Sequence, residues 1–125
     1  MRRFLSLSAA GMLLLSSLSA DPVPLQRATT PVSEIPVGAL VSSYPPKGTI
    51  WVRATIIEQT GDDTYLIKDK TGRITLFLPL DSLMELDLRP GMEILIFGTV
   101  DVSGVRPDKN EFYAERILLP PLKPG

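Results

Sequence analysis

The sequence predicts an all-β fold: a small five-stranded barrel with one short helix plugging it between the third and fourth strands, and a second short helix ahead of the barrel. Three observations carry that expectation. Apolar and polar residues alternate with period two through the middle of the chain, turn residues cut the alternation into five short runs, and the one helical run of the core follows the third of them. Prolines frame this region, crowding Pro22–Pro46 on one side and Pro120–Pro124 on the other, so the ordered core runs from about Lys47 to Leu119. A domain of that size is near the lower limit for folding on one hydrophobic core without staples, and the chain has no cysteine to supply them. A closed barrel suits such a chain.

The first twenty residues differ from the rest. Arg2 and Arg3 precede an uncharged run, FLSLSAAGMLLLSSL from Phe4 to Leu18, which ends in the small residues Ser19 and Ala20. A basic start, an apolar middle and a small-residue exit predict a secretory signal peptide over residues 1–20, cleaved after Ser19 or Ala20. The apolar run is shorter than the roughly 20 residues a spanning helix needs, so no stable membrane anchor is expected after cleavage. Loss of Arg2 and Arg3 leaves 11 of the 13 basic residues against 14 acidic ones, a mildly acidic mature chain. Proteins that work on phosphate backbones usually concentrate a basic excess on one face, so nucleic acid is not expected as the main partner.

Residues 21–36 read as a proline-rich tether and 120–125 as a C-terminal tail, with the domain proper over 37–119. A short helix is expected from Val37 to Ser43, ended by Pro45, whose ring disfavours helical geometry at Tyr44. In TIWVRATIIEQ, the residues Ile50, Val52, Ala54 and Ile56 share one face, and Trp51, Arg53, Thr55 and Ile57 the other. The second strand, Thr64–Asp69, sets Tyr65 and Ile67 against Leu66 and Lys68. The third, Arg73–Leu78, sets Ile74, Leu76 and Leu78 against Thr75 and Phe77, and Pro79 stops it. Asp81 to Leu88 is the helical run, with Asp81 as its cap and Pro90-Gly91 as its end. Met92 to Val102 is apolar on both faces through Ile94, Leu95, Ile96 and Phe97, and Gly98 marks a bend or bulge. Glu111 to Leu119 is the fifth strand. Three strands, a short helix and two strands is the order of the OB-fold, a five-stranded Greek-key barrel.

The string KDKTGRIT, Lys68 to Thr75, is close to the signature around the phosphorylated aspartate of P-type ion pumps. A pump aspartate ends a parallel strand of a large α/β domain, with an acidic magnesium loop far downstream. The only Gly-Asp-Asp here, residues 61–63, lies upstream, and the chain is too short for such a domain. A plainer reading accounts for every position: Asp69 opens a type I turn and accepts backbone amides, Lys70 and Thr71 face solvent, and Gly72 takes the last position, where a positive φ is often required. The turn joins strands two and three as a hairpin. The chain has no histidine, which with the missing cysteine removes most metal sites, the usual general bases and thiol nucleophiles. Asp62 and Asp63 lack the spacing of a calcium loop and read as an acidic turn. No catalytic residue, cofactor or metal is expected.

The run from Trp51 to Leu78, with GTVD at Gly98–Asp101, resembles the exported bacterial OB-fold family called BOF, the YgiW/YdeI type of stress-tolerance proteins. The acidic hairpin carries the likeness: Asp62, Asp63, Tyr65, Asp69 and Gly72 match the family's pattern, with Ile67 at its aromatic position. The sequence departs at Ala54, where the family tends to have glycine, in the helical segment before strand four, and in the loop SGVRPDKN. The resemblance implies a periplasmic, non-enzymatic protein linked to tolerance of peroxide, metals or cationic peptides.

With Ile50, Val52, Ala54, Ile56, Ile67, Ile74 and Leu76 filling the barrel, Trp51, Arg53, Leu66, Lys68, Thr75 and Phe77 remain on the outer face of strands one to three. OB-folds commonly bind across that surface. Trp51, Arg53, Leu66, Lys68 and Phe77 are therefore the candidate binding residues, and the expected partner is a small molecule, a glycan or another envelope protein. Val37, Leu40, Val41 and Tyr44 are the residues that would cover the patch if the N-terminal segment folded back. Two other uses of the barrel compete: single-stranded nucleic acid, stacked on Trp51 and Phe77 beside Arg53, Lys68 and Arg73, and a purely structural envelope component.

Overall fold

The structure is a computed structural model and describes residues 21–123. The expected signal peptide and the end of the tail lie outside the described residues. The elements are α1 (Val37–Leu40), β1 (Ile50–Gln59), β2 (Thr64–Asp69), β3 (Gly72–Phe77), α2 (Asp81–Met84), β4 (Glu93–Asp101), a 3-10 turn (Pro107–Lys109) and β5 (Glu111–Leu118). The strands close into a barrel in the order β1-β2-β3-β5-β4, with β4 returning to β1. Only β3 and β5 run parallel, over Thr75–Phe77 and Glu111–Tyr113. This is the all-β OB-fold that the alternation predicts. Closure leaves no long free edge.

Alternation sorts the side chains as read. Val52, Ala54, Ile56, Ile67, Ile74, Leu76, Leu78, Ile94, Ile96, Phe112 and Ala114 fill the interior, and Tyr65 lies among them. The bulge expected near Gly98 is present, where the β4–β5 register slips between Phe97 and Gly98. Glycine is needed there for space, because a Cβ would stand 2.1 Å from the Tyr113 carbonyl oxygen. A second register shift on β1, between Ile56 and Glu58, alters its pairing with β2 beyond the last core position.

Both helices are shorter than expected. The helix read over Asp81–Leu88 stops at Met84, because the next backbone groups pair with the N-terminal segment: Val23 N–H donates to the Glu85 carbonyl at 2.7 Å and Asp87 N–H to the Val23 carbonyl at 2.7 Å. Asp81 does not cap this helix. Leu80 holds the capping position and makes no side-chain cap, while Asp81 is the first helical residue. The helix read over Val37–Ser43 is the single turn α1, which buries Val37 and Leu40 fully in the core.

The segment read as a tether is a strap. Residues 21–36 have no regular element of their own, yet Val23, Arg27 and Glu34 form parallel bridges with Leu86, Leu119 and Trp51. The reason is open backbone. β3 reaches β5 only as far as Tyr113, so the end of β5 is free to exchange hydrogen bonds with the strap: Ala28 N–H with the Leu119 carbonyl at 2.9 Å, and Leu119 N–H with the Gln26 carbonyl at 2.8 Å. β2 ends at Asp69, and the uncovered start of β1 accepts Ile35 N–H at the Trp51 carbonyl, 2.8 Å. Backbone groups left by short strands need partners. The strap supplies them.

Candidate functional site

The β2–β3 hairpin is fixed by Asp69. Its Oδ1 accepts Thr71 N–H at 2.7 Å, Gly72 N–H at 3.2 Å and the Thr71 hydroxyl, and its Oδ2 accepts Val37 N–H at 2.9 Å. Thr71 Oγ1 in turn accepts Gly38 N–H at 2.7 Å. The hairpin thus caps α1 from 32 residues away in the chain, a task that Pro36 at the head of the helix does not perform. Gly38 makes the approach possible, since a Cβ there would lie 2.9 Å from the Thr71 carbonyl oxygen. Burial works to raise the Asp69 pKa, but the hydrogen bonds from Thr71, Val37 and Gly72 outweigh it and hold the carboxyl below its usual value. The turn is as read, with one correction. Gly72 has no positive φ, because it is already the first residue of β3, paired with Asp69.

The five candidate residues all point outward, but they do not form one patch. Leu66, Lys68 and Phe77 share the β2–β3 face, where Leu66 pairs with Thr75, Lys68 with Arg73, and Thr64 with Phe77. Arg53 joins Lys68 across a cleft of about 430 Å³ that also contains Ile35, Pro36 and Lys70. Its guanidinium is already engaged by Glu34, with Nε and Nη2 at 2.9 and 2.7 Å, and by Glu93 at 3.7 Å. The hydrogen bond to Glu34 is the main cause of its raised pKa. Trp51 stands apart. β2 pairs with β1 from Thr55 onward, so Trp51 lies beyond its end and packs instead on Phe97 of β4, ring centroids 4.8 Å apart. The Arg116 guanidinium lies 6.0 Å from the Trp51 ring centre.

The cover is also different from the one read. Val37 and Leu40 enter the core, and Tyr44 is 93 % exposed. The strap instead bridges Leu86, Leu119 at the end of β5 and Trp51 of β1, and it makes no bridge to β2 or β3. Sequence reasoning missed Tyr113, Phe97 and Arg116. Tyr113 packs on Phe77 with ring centroids 4.7 Å apart and planes tilted by 51°, brought together by the parallel β3–β5 pairing. Loss of solvent, the charges of Asp101 and Glu111 and a hydrogen bond to Asp101 push its hydroxyl pKa up. A signal for Phe97 existed, because a strand apolar on both faces announces a covered outer face. Among the described residues no three acidic, His or Cys side chains gather as a metal site.

No protein-family model matches the chain, and none of the curated proteins matches it significantly. Solved structures do. The hypothetical protein YgiW of E. coli is similar at 21 % identity and TM-score 0.53, over 74 % of this chain and 92 % of that one. The second OB-fold domain of replication protein A from Methanococcus maripaludis is similar at 15 % identity and TM-score 0.54, over 70 % and 94 %. A replication protein A heterotrimer bound to single-stranded DNA is similar at 13 % identity and TM-score 0.54, over 74 % and 84 %. At these identities the likeness concerns the fold. The chain is an OB-fold barrel whose architecture is shared by YgiW and by replication protein A domains.

Proposed function

We infer that this protein is an exported, non-catalytic binding or adaptor barrel of the bacterial envelope, serving stress tolerance and recognising a small molecule, glycan or envelope protein on the outer face of β2 and β3. One observation carries the reading. The strap engages Trp51, Leu86 and Leu119 and leaves β2 and β3 without a bridge, so Leu66, Lys68, Arg73 and the Phe77–Tyr113 stack form an apolar and cationic surface on the part of an OB-fold that commonly takes ligands. The signal-like N-terminus supports export.

A second reading has a specific observation in its favour. Phe77 and Tyr113 lie on the same outer face as Lys68 and Arg73, toward opposite ends of the β2–β3 hairpin, and aromatics combined with cations along one face suit single-stranded nucleic acid, which the replication protein A heterotrimer binds. Affinity capture from envelope extract with the protein and with its Phe77→Ala/Tyr113→Ala variant tests the first. A folded variant that loses the captured partner supports the envelope reading. Tight single-stranded DNA binding that weakens steeply with salt replaces it.

A further inference from the structure

β4 carries apolar residues on both faces, and its outer one is the less ordinary. Ile94 and Ile96 point into the barrel, whereas Leu95 alternates outward, lies outside the core cluster, and is nevertheless fully buried. The strap passes over this region without filling it. A groove of about 350 Å³ remains between strap residues 26–32 and the strands, with Trp51, Leu95 and Leu118 as its apolar lining and Arg27, Thr30 and Arg116 among its polar groups. Among the described residues no acidic one lines it. In a chain with 13 basic and 14 acidic residues, that is a local reversal of sign.

Both guanidiniums have capacity to spare. Among the described residues neither Arg27 nor Arg116 is in an ion pair. Arg27 donates through Nη1 to the Pro120 carbonyl at 2.7 Å, and Arg116 faces the Trp51 ring. Guanidinium forks match carboxylate and phosphate oxygens geometrically, while an apolar wall favours hydrocarbon. The volume is at the small end of ligand sites. We propose that this groove, separate from the β2–β3 face, binds a small amphipathic anion, its carboxylate or phosphate head on Arg27 and Arg116 and its hydrocarbon body against the half-buried Trp51 and Leu118, with Leu95 closing the floor beneath them.

Trp51 is the chain's only tryptophan, so its fluorescence reports on this groove. The purified protein is titrated with octanoate, with octyl glucoside as a neutral amphiphile of similar tail length, and with inorganic phosphate as an anion without one; calorimetry gives a second readout. Octanoate is expected to give a saturable signal that the other two do not reproduce. Arg27→Gln and Arg116→Gln should each weaken it at least about tenfold, the loss of one charge-assisted hydrogen bond. Lys68→Gln, on the β2–β3 face, should leave it unchanged, so failure here and failure of the β2–β3 reading are distinguishable. No response to octanoate, an equal response to octyl glucoside or phosphate, or full binding by both arginine variants overturns the proposal. Phosphatidylglycerol vesicles separate a bilayer headgroup from a free anion: a response to vesicles alone also overturns it.

Discussion

Replacing Asp69 by alanine removes the acceptor that joins the β2–β3 hairpin to α1. Three backbone donors lose their partner, at Val37, Thr71 and Gly72, and Thr71 loses the orientation with which it accepts Gly38 N–H. Asp69 is half-exposed, so water replaces part of what is lost, and each bond is counted at the ordinary net value of about 0.5–1.5 kcal/mol rather than at the higher value of buried charged pairs. The expected loss is about 2–4 kcal/mol, measured by urea unfolding at pH 7 with an unchanged m-value. The pH dependence adds an independent signature. Because the folded pKa is depressed, the native state binds its proton less readily than the unfolded chain does. The stabilisation is complete above the unfolded value of about 3.9 and is lost as pH falls through the folded pKa. The difference between wild type and Asp69→Ala should shrink over that acid window. A loss below about 0.5 kcal/mol at pH 7, or a difference that does not shrink as pH falls below the unfolded value, would refute the capping argument.

Other substitutions test the remaining links. Gly98→Ala places a Cβ against the Tyr113 carbonyl at the β4–β5 bulge and should cost about 3 kcal/mol or more, read from thermal and urea midpoints. Asn110 is the one buried polar residue of the described chain, donating to the Leu40 carbonyl at 2.9 Å and accepting Ser103 N–H at 2.9 Å; Asn110→Ala should destabilise by about 2–4 kcal/mol, because both backbone groups lose their partner. Glu34→Gln breaks a partly exposed pair with Arg53 and should cost only about 0.2–1 kcal/mol, an effect that fades when stability is measured in high salt. Phe77→Ala should lose about 0.5–1.5 kcal/mol from the stack with Tyr113, besides the area it no longer buries, with the far-UV spectrum of a barrel retained.

The strands were legible because their cause is local. A pleated strand sends successive side chains to opposite faces, so Val52 and Ala54 inside, and Arg53 outside, follow from adjacent letters, as does the Asp69 turn. Leu66, Lys68 and Phe77 were assigned to one face by the same rule. Their neighbour Tyr113 was not, since it reaches Phe77 only through the parallel β3–β5 pairing, which joins residues 36 apart. The length of α2 was misjudged for a similar reason: the local pattern continues to Leu88, but Val23 takes the backbone groups of Glu85 and Asp87. Propensity does not see a competitor sixty residues away.

The strap marks the boundary most clearly. Prolines and weak alternation describe a segment that cannot build structure alone, and that is true of residues 21–36 by themselves. What orders them is the unequal length of the strands, which leaves backbone donors and acceptors open at the start of β1 and the end of β5. By itself the sequence determined the barrel, its inward set and its hairpin, all consequences of period-two alternation and turn chemistry. Tertiary structure alone decided that Trp51 belongs with Phe97 and Arg116 beside the strap while Phe77 belongs with Tyr113 across the β3–β5 pairing, because strand register and unpaired backbone are properties of the closed sheet and not of any one run of residues.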